Sequence, residues 1–108
     1  MKYIFLERKI QVKNLIIEQL RKVYDPEIAV NVYDLGLIYD IDIDHFPKVT
    51  VTHTLTSAWC GFADEIIVMI EKACIDAGAE TVDVITTFDP PFTMDSVPEE
   101  TKLMLGWI

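Results

Sequence analysis

The sequence predicts an α+β two-layer sandwich, and three observations point there: a helical apolar period near the N-terminus, two adjoining stretches of strict alternation, and a second helical period leading into another strand-like run. In order these give helix, strand, strand, helix, strand and short helix. The expected architecture is a three-stranded mixed sheet covered on one face by helices. The 108 residues are 51% apolar, enough to fill one core, so residues 1–108 are read as a single domain.

The elements follow from their periods. From Glu7 to Tyr24 the residues Ile10, Val12, Ile16, Ile17, Leu20, Val23 and Tyr24 share one helical arc opposite Glu18, Arg21 and Lys22. Asp25-Pro26 is the expected stop, because a residue before proline is pushed out of helical geometry. Leu37 to Asp44 alternates, with Leu37, Tyr39, Ile41 and Ile43 set to one face and Ile38, Asp40, Asp42 and Asp44 to the other. His45-Phe46-Pro47-Lys48 reads as a hairpin turn. Val49 to Leu55 then places Val49, Val51, His53 and Leu55 inward and Thr50, Thr52 and Thr54 outward.

Phe62 to Ala77 returns to helical spacing, with Phe62, Ile66, Ile70, Ala73 and Ala77 inward and Gly78 as the stop. Thr81 to Phe88 is the third strand, in which Val82, Val84, Thr86 and Phe88 share a face. Strand, helix, strand implies a right-handed crossover to a parallel neighbour. Asp89-Pro90-Pro91-Phe92 should run extended, and Ser96 with Glu99 forms a capping box for a last helix that ends at Gly106.

Charge and segment lengths narrow the function classes. A formal net charge of -9 repels phosphate backbones and anionic lipid, so neither nucleic acid nor membrane is an expected partner. The Tyr3 to Leu6 apolar run is shorter than a signal-peptide core, and no stretch reaches the about 18 apolar residues of a membrane span. The cytoplasm is the expected compartment, where Cys60 and Cys74 stay reduced.

Chemistry concentrates at Thr56-Ser57-Ala58-Trp59-Cys60-Gly61-Phe62, between the second strand and the second helix. Free N–H groups and the dipole at a helix start favour a thiolate, Thr56 and Ser57 can add hydroxyl donors, and Gly61 leaves room beside the sulfur. Position alone also fits a small buried apolar residue. Cys74 lies near the inward arc of its helix and reads as core. A helical path of 14 residues would separate the two cysteines by about 20 Å, too far for one disulfide or one metal.

No paired C-x-x-C exists for zinc. His53 reads as a satisfied core histidine and His45 as a turn residue. Asp25 and Glu27 flank Pro26; spacing alone makes them loop punctuation, and their chemistry would suit acid, base or metal-ligand roles.

Taken together, Asp25-Pro26-Glu27, Asp34-Leu35-Gly36-Leu37-Ile38-Tyr39, Thr54-Leu55-Thr56-Ser57 leading to Cys60, and Phe88-Asp89-Pro90-Pro91-Phe92 resemble the small iron-sulfur assembly domain family of the SufT and PaaD proteins and the MIP-type cytosolic targeting factors. The resemblance runs from about Ile10 to the C-terminus. It implies a role in maturing iron-sulfur proteins or delivering clusters to them, rather than an enzymatic one. It also implies that Cys60 is the functional thiol, walled by Asp25, Glu27, Thr56 and Ser57.

Ala58 and Gly61 stand where the family carries prolines, and Trp59 lies between Ala58 and Cys60, so the turn should be less rigid and partly shielded by indole. The cysteine-bearing C-terminal extension of PaaD-like proteins is not among these 108 residues, so the resemblance leads to the expectation of a stand-alone SufT-like role rather than membership of a phenylacetate-degradation cluster.

No tightly bound cofactor is expected. One thiol can hold an iron-sulfur cluster or iron only transiently, with a homodimer, glutathione or a partner from the assembly machinery or a client supplying the other ligands. Two other readings use the same residues. One is a thiol enzyme with Cys60 as nucleophile and Asp25 or Glu27 positioning a proton. The other is an adaptor without chemistry that presents its acidic sheet face to a basic partner.

Overall fold

The computed structural model describes residues 2–25, 30–56 and 61–106. The elements are helix α1 (Lys2–Leu20), strands β1 (Ile38–His45) and β2 (Lys48–His53), helix α2 (Ala63–Asp76), strand β3 (Thr81–Thr86), a 3₁₀ turn (Met94–Ser96) and helix α3 (Glu99–Leu105). This is the α-β-β-α-β-α order read from the sequence. The sheet order is β1-β2-β3, with β1 antiparallel and β3 parallel to the central β2.

Alternation along the strands decides what is buried. Ile41 and Ile43 of β1, Val49 and Val51 of β2, and Leu37 and Leu55 beside them join Ile16 and Leu20 of α1 and Ile66, Ile70, Ala73 and Cys74 of α2 in one core. The opposite sides of β1 and β2 carry Asp40 and Asp42, which are exposed, and Thr50 and Thr52, which are half-buried. A register shift between Ile38 and Asp40 interrupts the alternation, and Tyr39 is half-buried with its hydroxyl donating to the Pro90 carbonyl at 2.6 Å.

Several boundaries differ from the sequence expectation. Helix α1 starts at Lys2 rather than Glu7 and ends at Leu20, before the proline signal is reached. Its end is set by tertiary pairing: the Val32 amide donates to the Val23 carbonyl, and Tyr24 forms an antiparallel bridge with Asn31. Tyr24 is thereby exposed, and so is Ile10, at 59%, because burial along α1 becomes complete only at Ile16. Phe62 is not an inward residue of α2 but its N-cap, 40% exposed.

At the other end of the chain, β3 stops at Thr86 because a local turn follows, in which the Asp89 amide donates to the Thr87 hydroxyl at 3.2 Å. Phe88 is exposed and does not share the inner face of the sheet. The expected Ser96–Glu99 capping box does not form. Pro98 is the N-cap of α3, and the Ser96 hydroxyl instead pairs with that of Thr93 at 3.3 Å. Ser96 is engaged in the 3₁₀ turn and cannot also lead the helix. Gly106 does end α3, with φ 73°.

The tail folds back onto the segment before β1. Val97 is buried, and the Thr101 hydroxyl donates to the Asp34 carbonyl at 3.3 Å. Gly36 is demanded twice over: its φ is +80°, and a Cβ there would stand 2.7 Å from the Ser96 carbonyl oxygen. Gly36→Ala should therefore destabilise the fold by about 2 kcal/mol or more, summing left-handed strain and overpacking against backbone. The midpoint of urea unfolding checks this; an unchanged midpoint would contradict the tail packing.

Candidate functional site

The sequence motifs converge through backbone and side-chain bonds near the start of β1 and the exit of β2. The Asp25 amide donates to the Val30 carbonyl at 3.0 Å, pairing the residues on either side of positions 26–29. From there the Leu37 amide donates to Val32 at 3.0 Å, and the Thr54 amide to Leu37 at 2.9 Å. The first loop, the Asp34-Leu35-Gly36 segment and the end of β2 thus form one continuous hydrogen-bonded unit. The bond from Tyr39 to Pro90 attaches the Asp-Pro-Pro-Phe segment to it.

Within that unit the structure brings two of the expected site residues together. Asp25 is fully buried, and the Thr56 hydroxyl donates to its Oδ2 at 3.5 Å, across 31 positions of sequence. Glu27, Ser57 and Cys60 lie outside the described residues. Their neighbours are described: Thr56 ends one flank, and Gly61 and Phe62 form the other, and no atom of the described residues lies within 4 Å of where a Cβ on Gly61 would stand. Helix α2 opens at Ala63 with Phe62 as an N-cap that makes no side-chain capping bond, and Asp64 and Glu65 occupy its first turn. These carboxylates complement the positive end of the helix dipole.

Two further residues mark this end of β2. His53 is fully buried, donating from Nδ1 to the Thr54 carbonyl at 3.1 Å and accepting at Nε2 from the Thr86 hydroxyl at 2.8 Å. Both ring nitrogens are satisfied by a neutral ring, and burial lowers its pKa from the ordinary 6.5, opposed by the bond to Thr54. The expectation of a core histidine therefore holds.

Thr54 differs from expectation: it is fully buried, unlike Thr50 and Thr52, and among the described residues its hydroxyl finds no hydrogen-bond partner. Such an orphan is costly and uncommon in a folded core. Strand alternation assigned it to the wet face, and no local signal marks it otherwise.

Cys74 is fully buried in the core, where desolvation pushes its thiol up to about 11. It stays protonated at neutral pH and is no candidate ligand or nucleophile. Among the described residues no group of three or more His, Cys, Asp or Glu is placed to hold a metal ion. No helix among them is long and apolar enough to cross a membrane.

Comparison with known proteins bears on the same segments. The profile of the iron-sulfur cluster assembly protein family matches residues 13–85, a span that holds Asp25, Glu27, Thr56, Ser57 and Cys60. The chain belongs to that family. A Porphyromonas gingivalis protein named Fe-S protein maturation auxiliary factor is 45% identical over 100 residues, covering 92% of this chain and 95% of that one. The Staphylococcus aureus Fe-S protein maturation auxiliary factor SufT is 31% identical over 85 residues, 78% of this chain and 97% of its own, so the family resemblance is SufT-like. The structure superposes on a domain of unknown function, DUF59, from Bacillus anthracis with TM-score 0.80 and 28% identity, covering 88% of this chain and 92% of the other.

The buried neutral histidine makes folding of this family member pH-dependent in a defined direction. The unfolded chain takes up a proton at His53 near pH 6.5 while the folded ring resists it, so stability is full above that pH and falls as pH drops through it. Thermal unfolding at pH 7.5 and 5.5 should show a loss in the wild type that is smaller in His53→Gln. Equal losses in both would mean that His53 is not the group responsible.

Proposed function

We propose that this chain is an accessory factor in iron-sulfur protein maturation that works in the cytoplasm with Cys60 as its functional thiol. Iron or an iron-sulfur cluster is its cargo rather than a resident cofactor. Its relatives' names support the maturation role. The observation that carries the assignment to this end of the molecule is the contact between Asp25 and Thr56, which joins the Asp-Pro-Glu loop to the residues leading to Cys60.

The remaining chemistry follows from the donors available. Cluster irons typically take four thiolates, and Cys74 is held protonated inside the core, so one chain offers Cys60 alone. The other ligands come from a second molecule: a second copy, glutathione, an assembly protein or the client. A cargo held by shared ligands passes on by exchange of one thiolate for another, and a single-thiol site favours such release over storage. Glu27 and Ser57 are assigned with Asp25 and Thr56 to the wall around the sulfur, where carboxylate and hydroxyl groups accept and donate hydrogen bonds during that exchange.

Complementation of cells lacking the native gene tests the proposal. Cys60→Ser should fail to restore the activity of iron-sulfur client enzymes while accumulating to normal levels, and Cys74→Ala, at comparable abundance, should restore it. Full restoration by Cys60→Ser would contradict the assignment of that thiol.

A further inference from the structure

Helix α1 and strand β1 leave a groove between them that runs along the free edge of the sheet. Three adjoining clefts make it up. The first is lined by Arg8, Lys9 and Val12 with Ile43, Asp44 and Phe46. The second, about 360 Å³, is lined by Lys9, Ile10 and Lys13 with every residue from Asp40 to Asp44. In the third, Lys13 and Ile17 face residues 38–41.

Consecutive strand residues, pointing alternately to both faces, can line one groove only if it follows the strand's edge. Strand β1 is an outer strand of the sheet, with β2 on its other side. The groove floor is thus the edge of β1, which has the geometry to accept an added strand.

The two walls differ in charge. On the outer side stand the exposed carboxylates of Asp40, Asp42 and Asp44; on the helix side stand Lys9 and Lys13 with the apolar Val12 and Ile17. Lys9 Nζ reaches Asp44 Oδ1 at 3.3 Å across one end. A second copy of β1 has the right apolar alternation but the wrong charge, because antiparallel pairing about Asp42 sets Asp42 against Asp42 and Asp40 against Asp44. Like charges placed directly opposite one another in a sheet are destabilising.

We propose that this groove binds an extended segment of a protein partner whose residues alternate between basic and apolar, adding a strand to β1. Its basic side chains meet Asp40, Asp42 and Asp44, its apolar ones meet Val12 and Ile17, and its backbone pairs with the edge. The surface shares no residue with Asp25, Thr56 or Cys60 and stands independently of the thiol chemistry.

The probe is a seven-residue peptide alternating lysine and valine, titrated into the whole protein and followed by amide chemical shifts. Shifts should concentrate on β1 and the groove-facing half of α1. Binding should weaken by about tenfold in the double variant Asp40→Lys, Asp42→Lys. A glutamate-valine peptide should not bind, nor should the lysine-valine peptide methylated on alternate backbone nitrogens to block strand pairing. Shifts spread over other acidic surfaces, equal binding of the methylated peptide, or no shifts at millimolar peptide would each overturn the proposal.

Discussion

The buried carboxylate of Asp25 sits at the joint on which the proposed site depends. It belongs to a loop whose two sides are tied by the Asp25–Val30 and Val23–Val32 backbone bonds, and it accepts from Thr56 at the exit of the central strand. Burying a carboxylate is expensive unless its oxygens are hydrogen-bonded, and the Thr56 hydroxyl at the strand exit is one of the groups that accommodate it. That contact links Asp25, after α1, to Thr56, four positions before Cys60 in the sequence.

A second restraint comes from the tail. After β3 the chain returns past Tyr39, lays the Ser96 carbonyl against the Cα of Gly36, buries Val97 and bonds Thr101 to Asp34. The segment from Asn31 to Leu37 is therefore held from two directions, by its own internal bonds and by the tail. Asn31 donates from Nδ2 to Asp34 at 2.7 Å and accepts from the Asp34 amide at 2.8 Å, while Arg21 pairs with Asp34 and stacks over the Tyr33 ring. The exposed ion pairs add little stability, and the directional bonds and packing fix the segment.

Apolar periodicity made the framework legible. The alternations around Ile41 and Val51, the arc of Ile66 and Ile70, and the strand-helix-strand order gave the sheet, its parallel pair and its covered face, because burial imposes those periods directly on sequence. What periodicity could not supply was set by contacts distant in sequence. Thr54 is buried against its alternation, Phe62 is a cap rather than a core residue, and Ser96 is drawn into a 3₁₀ turn instead of capping α3. Gly36 stands in the sequence only as part of the Asp34–Tyr39 motif, and its close approach to Ser96 depends on a segment 60 positions away. For the site, Asp25 and Thr56 could be named from motifs; their mutual contact could not, since each motif alone is common loop chemistry.

The account rests on the solitude of one thiol. Cys74 is sequestered in the core and held protonated, leaving Cys60 as the one other cysteine in the sequence for the proposed role. In the proposed role a lone thiolate needs ligands from elsewhere, which suits transient handling of a cluster. The most direct measurement is anaerobic reconstitution with iron, sulfide and glutathione, followed by visible absorption and size-exclusion chromatography. The account predicts cluster absorption in the wild type and in Cys74→Ala, carried on a glutathione-ligated monomer or a two-chain species, and none in Cys60→Ser. Cluster absorption that persists in Cys60→Ser would contradict it.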